Sequence, residues 1–336
     1  MVRPYPIRSR YLRCTLCLAA LVAALISAGG EARAQQASAG FAVDRFEPAA
    51  PGSGFLSLES LDFEGHLRPA GGLVSAWAWK PLVVYDGQSN QVSALVAQQL
   101  IEHVQGAIVL WDRARLDLDL PVPLAHTGTS TVVGAQTYAA PDGNGVGDLR
   151  LGASVRLYGR PGGRLIGALG AQLFLPTGDT KAFSSDGGVR FWPQLLAAGR
   201  WRERLTWAGR VGVQIRPQHA CDCDLSPGSE LTAGAGARWR FLPKLAAGPE
   251  LYLASAIAGG PFASRAGTSL ELLLAGHLAV APRWTVSAGV APGLSDGAGT
   301  PVARVVLAVQ YVVAPAPPSP ETPPPWLPAT ADGVVP

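Results

Sequence analysis

Glu230-Leu-Thr-Ala-Gly-Ala-Gly-Ala-Arg-Trp-Arg240 alternates from end to end. Leu231, Ala233, Ala235, Ala237 and Trp239 fall on one face of an extended chain, and Thr232, Gly234, Gly236, Arg238 and Arg240 on the other. A helix repeats its apolar positions every three or four residues and cannot produce this pattern; a strand, whose side chains point to opposite faces in turn, does. The two faces differ in kind. One is aliphatic or aromatic, the other small, polar or charged, as on the outside and inside of a barrel wall in a membrane. The stretch is also long: a tilted strand needs about 9–11 residues to cross the hydrocarbon, whereas soluble strands average about five or six.

The same pattern recurs along the chain. Leu116, Leu118, Leu120, Val122 and Leu124 stand against Arg115, Asp117 and Asp119. Leu149, Leu151, Val155 and Leu157 oppose Asp148, Arg150, Ser154, Arg156 and Tyr158. Ala303, Val305, Leu307, Val309 and Tyr311 oppose Arg304, Val306, Ala308 and Gln310. Strands are predicted over 73–85, 95–111, 115–125, 147–159, 164–175, 189–200, 205–216, 230–240, 245–256, 269–280, 284–291 and 302–313. Gln98, Gln99, Glu102 and His103 blur the alternation in 95–111. The expected fold is all-β: an antiparallel, transmembrane, up-and-down β-barrel of about twelve strands.

The connections support it. Short ones fall at Asp112–Ala114, Arg160–Gly163, Arg202–Arg204, Leu242–Lys244 and Ala281–Arg283. Long ones fall between them, at Asp86–Ser93, His126–Val146, Pro176–Gly188, Pro217–Ser229, Ala258–Thr268 and Leu294–Pro301. Short turns on the periplasmic side and long loops outside are the outer-membrane arrangement. Trp111, Trp201, Trp239 and Trp284 all flank short turns, where an interfacial aromatic girdle is expected.

Composition agrees. Charged residues make up 15% of the chain, against about 25% in ordinary globular domains. Beyond the first residues, no stretch approaches the roughly 18 unbroken apolar residues of a spanning helix. The net charge of +3 and the lack of a basic-aromatic cluster argue against nucleic acid as a partner. At the start, Arg3, Arg8, Arg10 and Arg13 precede an apolar run from Leu16 to Ile26, and Ala32-Arg33-Ala34 follows. This reads as a secretory signal peptide over residues 1–34. Cys14 and Cys17 would leave with it, so Cys221 and Cys223 make no disulfide scaffold.

Residues 35–70 stand outside the strand count. Leu61, Phe63, Gly65 and Leu67 alternate with Ser60, Asp62, Glu64 and His66, which suggests a strand closed by a tight turn at Arg68–Gly72. Such a strand would break the even parity, so a lumen plug, an extra strand pair and a loose periplasmic arm stay open. Residues 71–314 would form the barrel and 315–336 a Pro-rich disordered tail.

Inward positions carry both signs: Asp117, Asp119, Asp148, Arg150, Arg156, Arg190, Arg210, Arg216, Glu230, Arg238, Arg240, Glu250, Glu271, His277 and Arg304. They could line a pore and set weak ion selectivity, or close a narrow barrel by pairing with one another. His219, Cys221 and Cys223 could hold a soft metal, but a structural site wants four ligands, and a local disulfide or plain loop cysteines are favoured. No cofactor is expected. His126 and His277 have no nucleophile motif beside them, and no phosphate or dinucleotide loop occurs, so an enzyme is not expected.

Three segments carry a family resemblance: Phe41-Ala-Val-Asp-Arg-Phe-Glu-Pro48, Trp79-Lys-Pro-Leu-Val-Val-Tyr85 and Gly145-Val-Gly-Asp-Leu-Arg-Leu-Gly-Ala153. In them the chain resembles the N-terminal barrel region of OmpA-family proteins of myxobacteria. It also resembles a broader group of phenol meta-pathway transporter-like barrels, which share the Gly-x-Gly-Asp strand opening and the Leu175–Asp179 stretch. The resemblance spans roughly residues 41–313. OmpA-family chains usually continue past a Pro-rich linker into a peptidoglycan-binding domain. This chain stops in the linker, so peptidoglycan anchoring does not carry over and a truncated or barrel-only relative is implied.

The expectation is an outer-membrane barrel acting as a passive channel or structural porin-like component. The alternatives are a transporter of small apolar or aromatic compounds, and a surface adhesion protein working through loops 126–146 and 217–229. Expected partners are outer-membrane lipid, lipopolysaccharide, the barrel-assembly machinery and a small solute.

Overall fold

The computed structural model describes residues 40–85, 90–133, 136–143, 145–202, 204–216, 228–258, 262–264 and 267–314. Its strands are β1 (Leu67–Tyr85), β2 (Gln91–Leu110), β3 (Ala114–Thr127), β4 (Thr131–Val133), β5 (Gln136–Tyr138), β6 (Leu149–Tyr158) and β7 (Ile166–Leu175). There follow β8 (Arg190–Trp201), β9 (Leu205–Gln214), β10 (Glu230–Leu242), β11 (Leu245–Ala256), β12 (Thr268–Ala281), β13 (Trp284–Pro292) and β14 (Ala303–Val312). All but β4 and β5 close into one barrel of twelve strands, each paired antiparallel with its neighbours in sequence. β4 and β5 form a small hairpin within the long β3–β6 connection, where only a polar loop was expected. The barrel closes where β1 meets β14, from Ala70 opposite Val312 to Trp79 opposite Ala303. Closure leaves no unpaired edge, as hydrocarbon demands. Among the described residues, no helix is long and apolar enough to cross a membrane.

Alternation in sequence becomes outside and inside in space. On β14, Val305, Leu307 and Val309 are exposed while Arg304, Val306, Ala308 and Gln310 are buried. Trp111, Trp201, Trp239 and Trp284 are exposed at the end that carries the short turns, the same end at which β1 begins and β14 finishes. There Trp284 packs on Tyr311, ring centroids 5.0 Å apart.

The expected strand over 60–67 and turn at Arg68–Gly72 are not formed. β1 already starts at Leu67, opposite Leu110, and continues straight through 68–72. Upstream, Leu61 and Gly65 take positive φ (55° and 118°), outside the extended region of a regular strand.

Residues 40–66 contain no strand and are nonetheless largely buried. Phe46 and Leu56 cluster with Val74 (β1), Tyr252 (β11), Leu273 (β12) and Val306 (β14). Phe55, Leu58, Leu61 and Phe63 cluster with Val109 (β2), Ile166 (β7), Leu196 (β8) and Ala208 (β9). Phe41 and Val43 meet Leu82, Leu95 and Phe183. A short segment that reaches opposite walls of a barrel lies in its lumen. Inward glycines make the room: a Cβ on Gly234 or Gly236 would come within 2.8 Å of the Leu58 side chain.

Candidate functional site

The site is the lumen and the arm, residues 40–66, that occupies it. Wall and arm meet charge to charge in tiers. Near the long loops, Asp186 binds Arg216 (2.6 Å) and Arg190 (3.2 Å) and accepts the Ala42 N–H (2.8 Å). Arg216 also pairs with Glu230 (3.2 Å), and Glu230 with Arg45 of the arm (3.1 Å). Burial pulls the Asp186 carboxyl upward, but Arg216, Arg190 and the Ala42 amide outweigh it and hold the group below the usual carboxylate range. Burial, with repulsion from Arg216, pushes Arg45 down to about 10.

One tier deeper, Arg304 lies 2.8 Å from Asp44 of the arm and 2.9 Å from Glu271, which also accepts the Tyr252 hydroxyl (2.9 Å). Arg150 donates to Glu47 (2.9 Å) and to the Pro48 carbonyl (2.7 Å). Beside it, His103 Nδ1 and Asp119 Oδ2 are 2.9 Å apart. Glu250 accepts the consecutive N–H groups of Leu56 (2.7 Å), Ser57 (2.8 Å) and Leu58 (3.2 Å), and the Ser57 hydroxyl (2.8 Å). Arg210 donates to the Ser57 carbonyl (3.0 Å). Toward the periplasmic end, Arg115 binds Glu59 (2.6 Å) and approaches Asp117 (4.0 Å), and Arg238 donates to the Gly54 carbonyl (2.7 Å). Unpaired buried charges cost several kcal/mol each, so these matched pairs make the arm and wall one polar network.

The inward set named from the sequence therefore divides. Asp119, Asp148, Arg150, Arg190, Arg210, Arg216, Glu230, Glu250, Glu271, His277 and Arg304 are buried in the lumen, and Asp117 is half-buried beside Arg115. Arg238 and Arg240 stand at the periplasmic mouth. Arg156 does something else: it donates to the carbonyls of Asp112 and Gly159 and ties neighbouring short turns together. The arm's Asp44, Arg45, Glu47 and Glu59 were not foreseen, and neither were Asp186, His103 and Tyr252; Arg115 lies on the inner face that alternation gives it. Trp192 was missed as well. It faces inward, donates to Thr232 (2.8 Å) and stacks on Phe174 at 6.5 Å, with Arg190 over Phe174 (4.1 Å) and Arg210 over Trp192 (4.8 Å). An arm with acids interleaved among Phe41, Phe46 and Phe55, in a chain whose wall offers arginines, was the one available signal.

The space left is uneven. Cavities of about 330 and 160 Å³ open at the periplasmic mouth. Among the described residues, narrow spaces of about 40 and 20 Å³ lie beside the arm in the middle of the barrel. His219, Cys221 and Cys223 lie outside the described residues. Among the described residues, no group of three or more His, Cys, Asp or Glu is arranged to hold a metal.

In fold, the chain is similar to an outer membrane channel from Pseudomonas putida F1 (TM-score 0.54, 15% identity, covering 75% of this chain and 98% of that one). Lower scores relate it to the KdgM porin (0.45, 9%, covering 73% and 99%) and the NanC porin (0.44, 9%, covering 73% and 97%). At these identities the likeness is one of fold: a transmembrane barrel of the outer-membrane type. No curated protein matches the sequence. Residues 84–301 match a protein family in sequence, well over half of the chain. The chain thus belongs to the family described as "Putative MetA-pathway of phenol degradation".

Proposed function

We propose that this protein is an outer-membrane channel for small solutes whose lumen is narrowed by its own N-terminal arm. The observation that carries the reading is the polar character of the contact between arm and wall. A purely structural barrel closes most stably around apolar side chains, since buried ion pairs often contribute less than well-packed hydrophobic groups. Here the wall keeps arginines and carboxylates, and Gln99, buried on β2, finds no partner among the described residues for either amide atom. Groups of this kind take water as their partner, which favours a hydrated seam between β2 and the arm.

The test is planar-bilayer recording of the refolded full chain. The wild type is expected to show small, infrequent currents. Arg150→Gln combined with Glu250→Gln, which loosens the arm, should raise the mean current several-fold. A correctly folded barrel that carries no current in either form sinks the channel reading.

The second reading is passage of small aromatic compounds. It is supported by the family's description and by the inward Phe174–Trp192 stack, and uptake by proteoliposomes of phenol against a sugar of similar size tests it. Adhesion through loops 126–146 and 217–229 has no comparable support. We further infer export with loss of residues 1–34, insertion by the barrel-assembly machinery, and an apolar belt wetted by lipid and lipopolysaccharide. The OmpA-family likeness stays a proposal resting on Phe41–Pro48, Trp79–Tyr85 and Gly145–Ala153, the first of which enters the lumen.

A further inference from the structure

His103 on β2 is buried in the lumen and faces Asp119 on β3, Nδ1 to Oδ2 at 2.9 Å. Its other ring nitrogen, Nε2, is buried as well and has no hydrogen-bond partner among the described residues. The ring borders the narrow space of about 40 Å³ beside the arm. The charged groups around that space come from several elements: Asp44 and Glu47 of the arm, Asp119 on β3, Arg150 on β6 with Asp148 just before it, and Arg190 on β8. Strand β1 sets Val74 opposite His103 and adds no charge. Phe46 of the arm stands edge-on to the imidazole, ring centroids 6.3 Å apart.

The partners are shared unevenly. Arg190 pairs with Asp148 (3.2 Å) and Arg304 with Asp44 (2.8 Å). Arg150 is claimed twice: by the arm, through Glu47 (2.9 Å) and the Pro48 carbonyl (2.7 Å), and by Asp119 at 3.6 Å. A neutral His103 gives the buried Asp119 one uncharged donor, so Asp119 keeps its claim on Arg150. A protonated His103 gives it an ion pair, which leaves Arg150 to the arm. The proton also makes Nε2 a cationic donor in a space that Asp44 and Glu47 border. Both effects draw the arm to the wall. We propose that His103 sets the grip on the arm segment Asp44–Pro48 by pH, tight when the imidazole carries a proton and loose when it does not. By linkage, the grip weakens as pH rises through the histidine range, between about pH 5 and 8. This goes beyond the channel reading, since the grip is a property of the arm and can be read whether or not the barrel passes current.

The test is amide exchange of the full chain refolded in neutral detergent, corrected for intrinsic rates and read at Phe46, whose N–H donates to Asp44 (3.1 Å). Protection there should fall about tenfold from pH 5 to pH 8. Ala42, latched by Asp186, should not follow it. In His103→Gln, which cannot take up the proton, protection should be low and flat across the range. In Asp119→Asn, where the competing carboxylate is gone, it should be high and flat. Two variants that bracket the wild type are not expected of a pair that merely fills space. His66→Gln, at the exposed end of the arm beside Trp111, should keep the wild-type slope. Faster migration in an unboiled gel shows that each barrel has formed. A flat or rising wild-type profile, or the wild-type slope in His103→Gln, overturns the proposal. Should His103→Gln fail to fold, the wild-type slope in Asp119→Asn overturns it.

Discussion

Glu102 projects from β2 to the outer face of the barrel, between exposed Val104 and exposed Gln98, and its carboxylate accepts the hydroxyl of Ser75 on β1. Its inward neighbours, Ile101 and His103, are buried. A carboxylate among lipid tails is unfavourable, less so than an Arg or Lys, and one hydroxyl donor offsets only part of the cost. Glu102→Leu is therefore expected to stabilise the folded barrel by on the order of 1 kcal/mol, read as a higher urea midpoint in lipid vesicles. A clear loss of stability would instead mean that the wall at β1–β2 is covered by something other than lipid.

At the scale of one element, the arm is held differently along its length. In its deeper half it is gripped by Glu250, Arg210 and Arg115 and by apolar contact, as where Leu58 fills the room left by Gly234 and Gly236. Near the long loops it is held by the Asp186 cluster. The pH dependence follows from the sign of the shift. The Asp186 carboxyl titrates lower in the folded protein than in the unfolded chain, so its contribution is complete above the unfolded value of about 3.9. It is lost as pH falls through the lower, folded value. Amide protection at Ala42, corrected for intrinsic exchange, should therefore hold from neutrality to about pH 4 and drop below it. In Asp186→Asn it should be low throughout; an unchanged profile in that variant refutes the latch. Gly236→Val should disturb the other end of the arm, since a side chain there collides with Leu58, and the effect should be independent of pH.

For the whole molecule, twelve strands closed without an edge imply strong kinetic resistance to unfolding in detergent. The folded chain should migrate faster in an unboiled gel than after boiling. A chain that stays soluble without detergent and migrates identically in both conditions is incompatible with the barrel. The outward face leaves no other reading: Leu195, Leu278 and Leu307 are among many large apolar side chains exposed around the wall, 64%, 44% and 55% accessible. Only lipid covers such a belt on every side.

Much of this was legible residue by residue. Alternation is a local property of the extended chain, so Glu230–Arg240 and Val302–Val313 specify strands and faces without reference to anything distant. Where local signals conflict, tertiary structure decides. Gln98 and Gln99, or Glu102 and His103, are adjacent polar residues that alternation must send to opposite faces, and the sequence does not say which face is which. Pairing with β1 and β3 settles it: Gln99 and His103 turn inward and Gln98 and Glu102 outward. Residues 60–67 alternate as well as many strands do, yet the positive φ of Leu61 and Gly65 breaks them and the lumen receives them. The placement of the arm is likewise decided only in three dimensions. The partners of Asp44, Glu47 and Glu59 are Arg304, Arg150 and Arg115, between 56 and 260 residues further along the chain, and no periodicity encodes so distant a match. Sequence alone determined the barrel, its inside and outside and its turn end, because each follows from strand geometry and a lipid solvent. The filled lumen exists only once the barrel has closed and the arm lies within it.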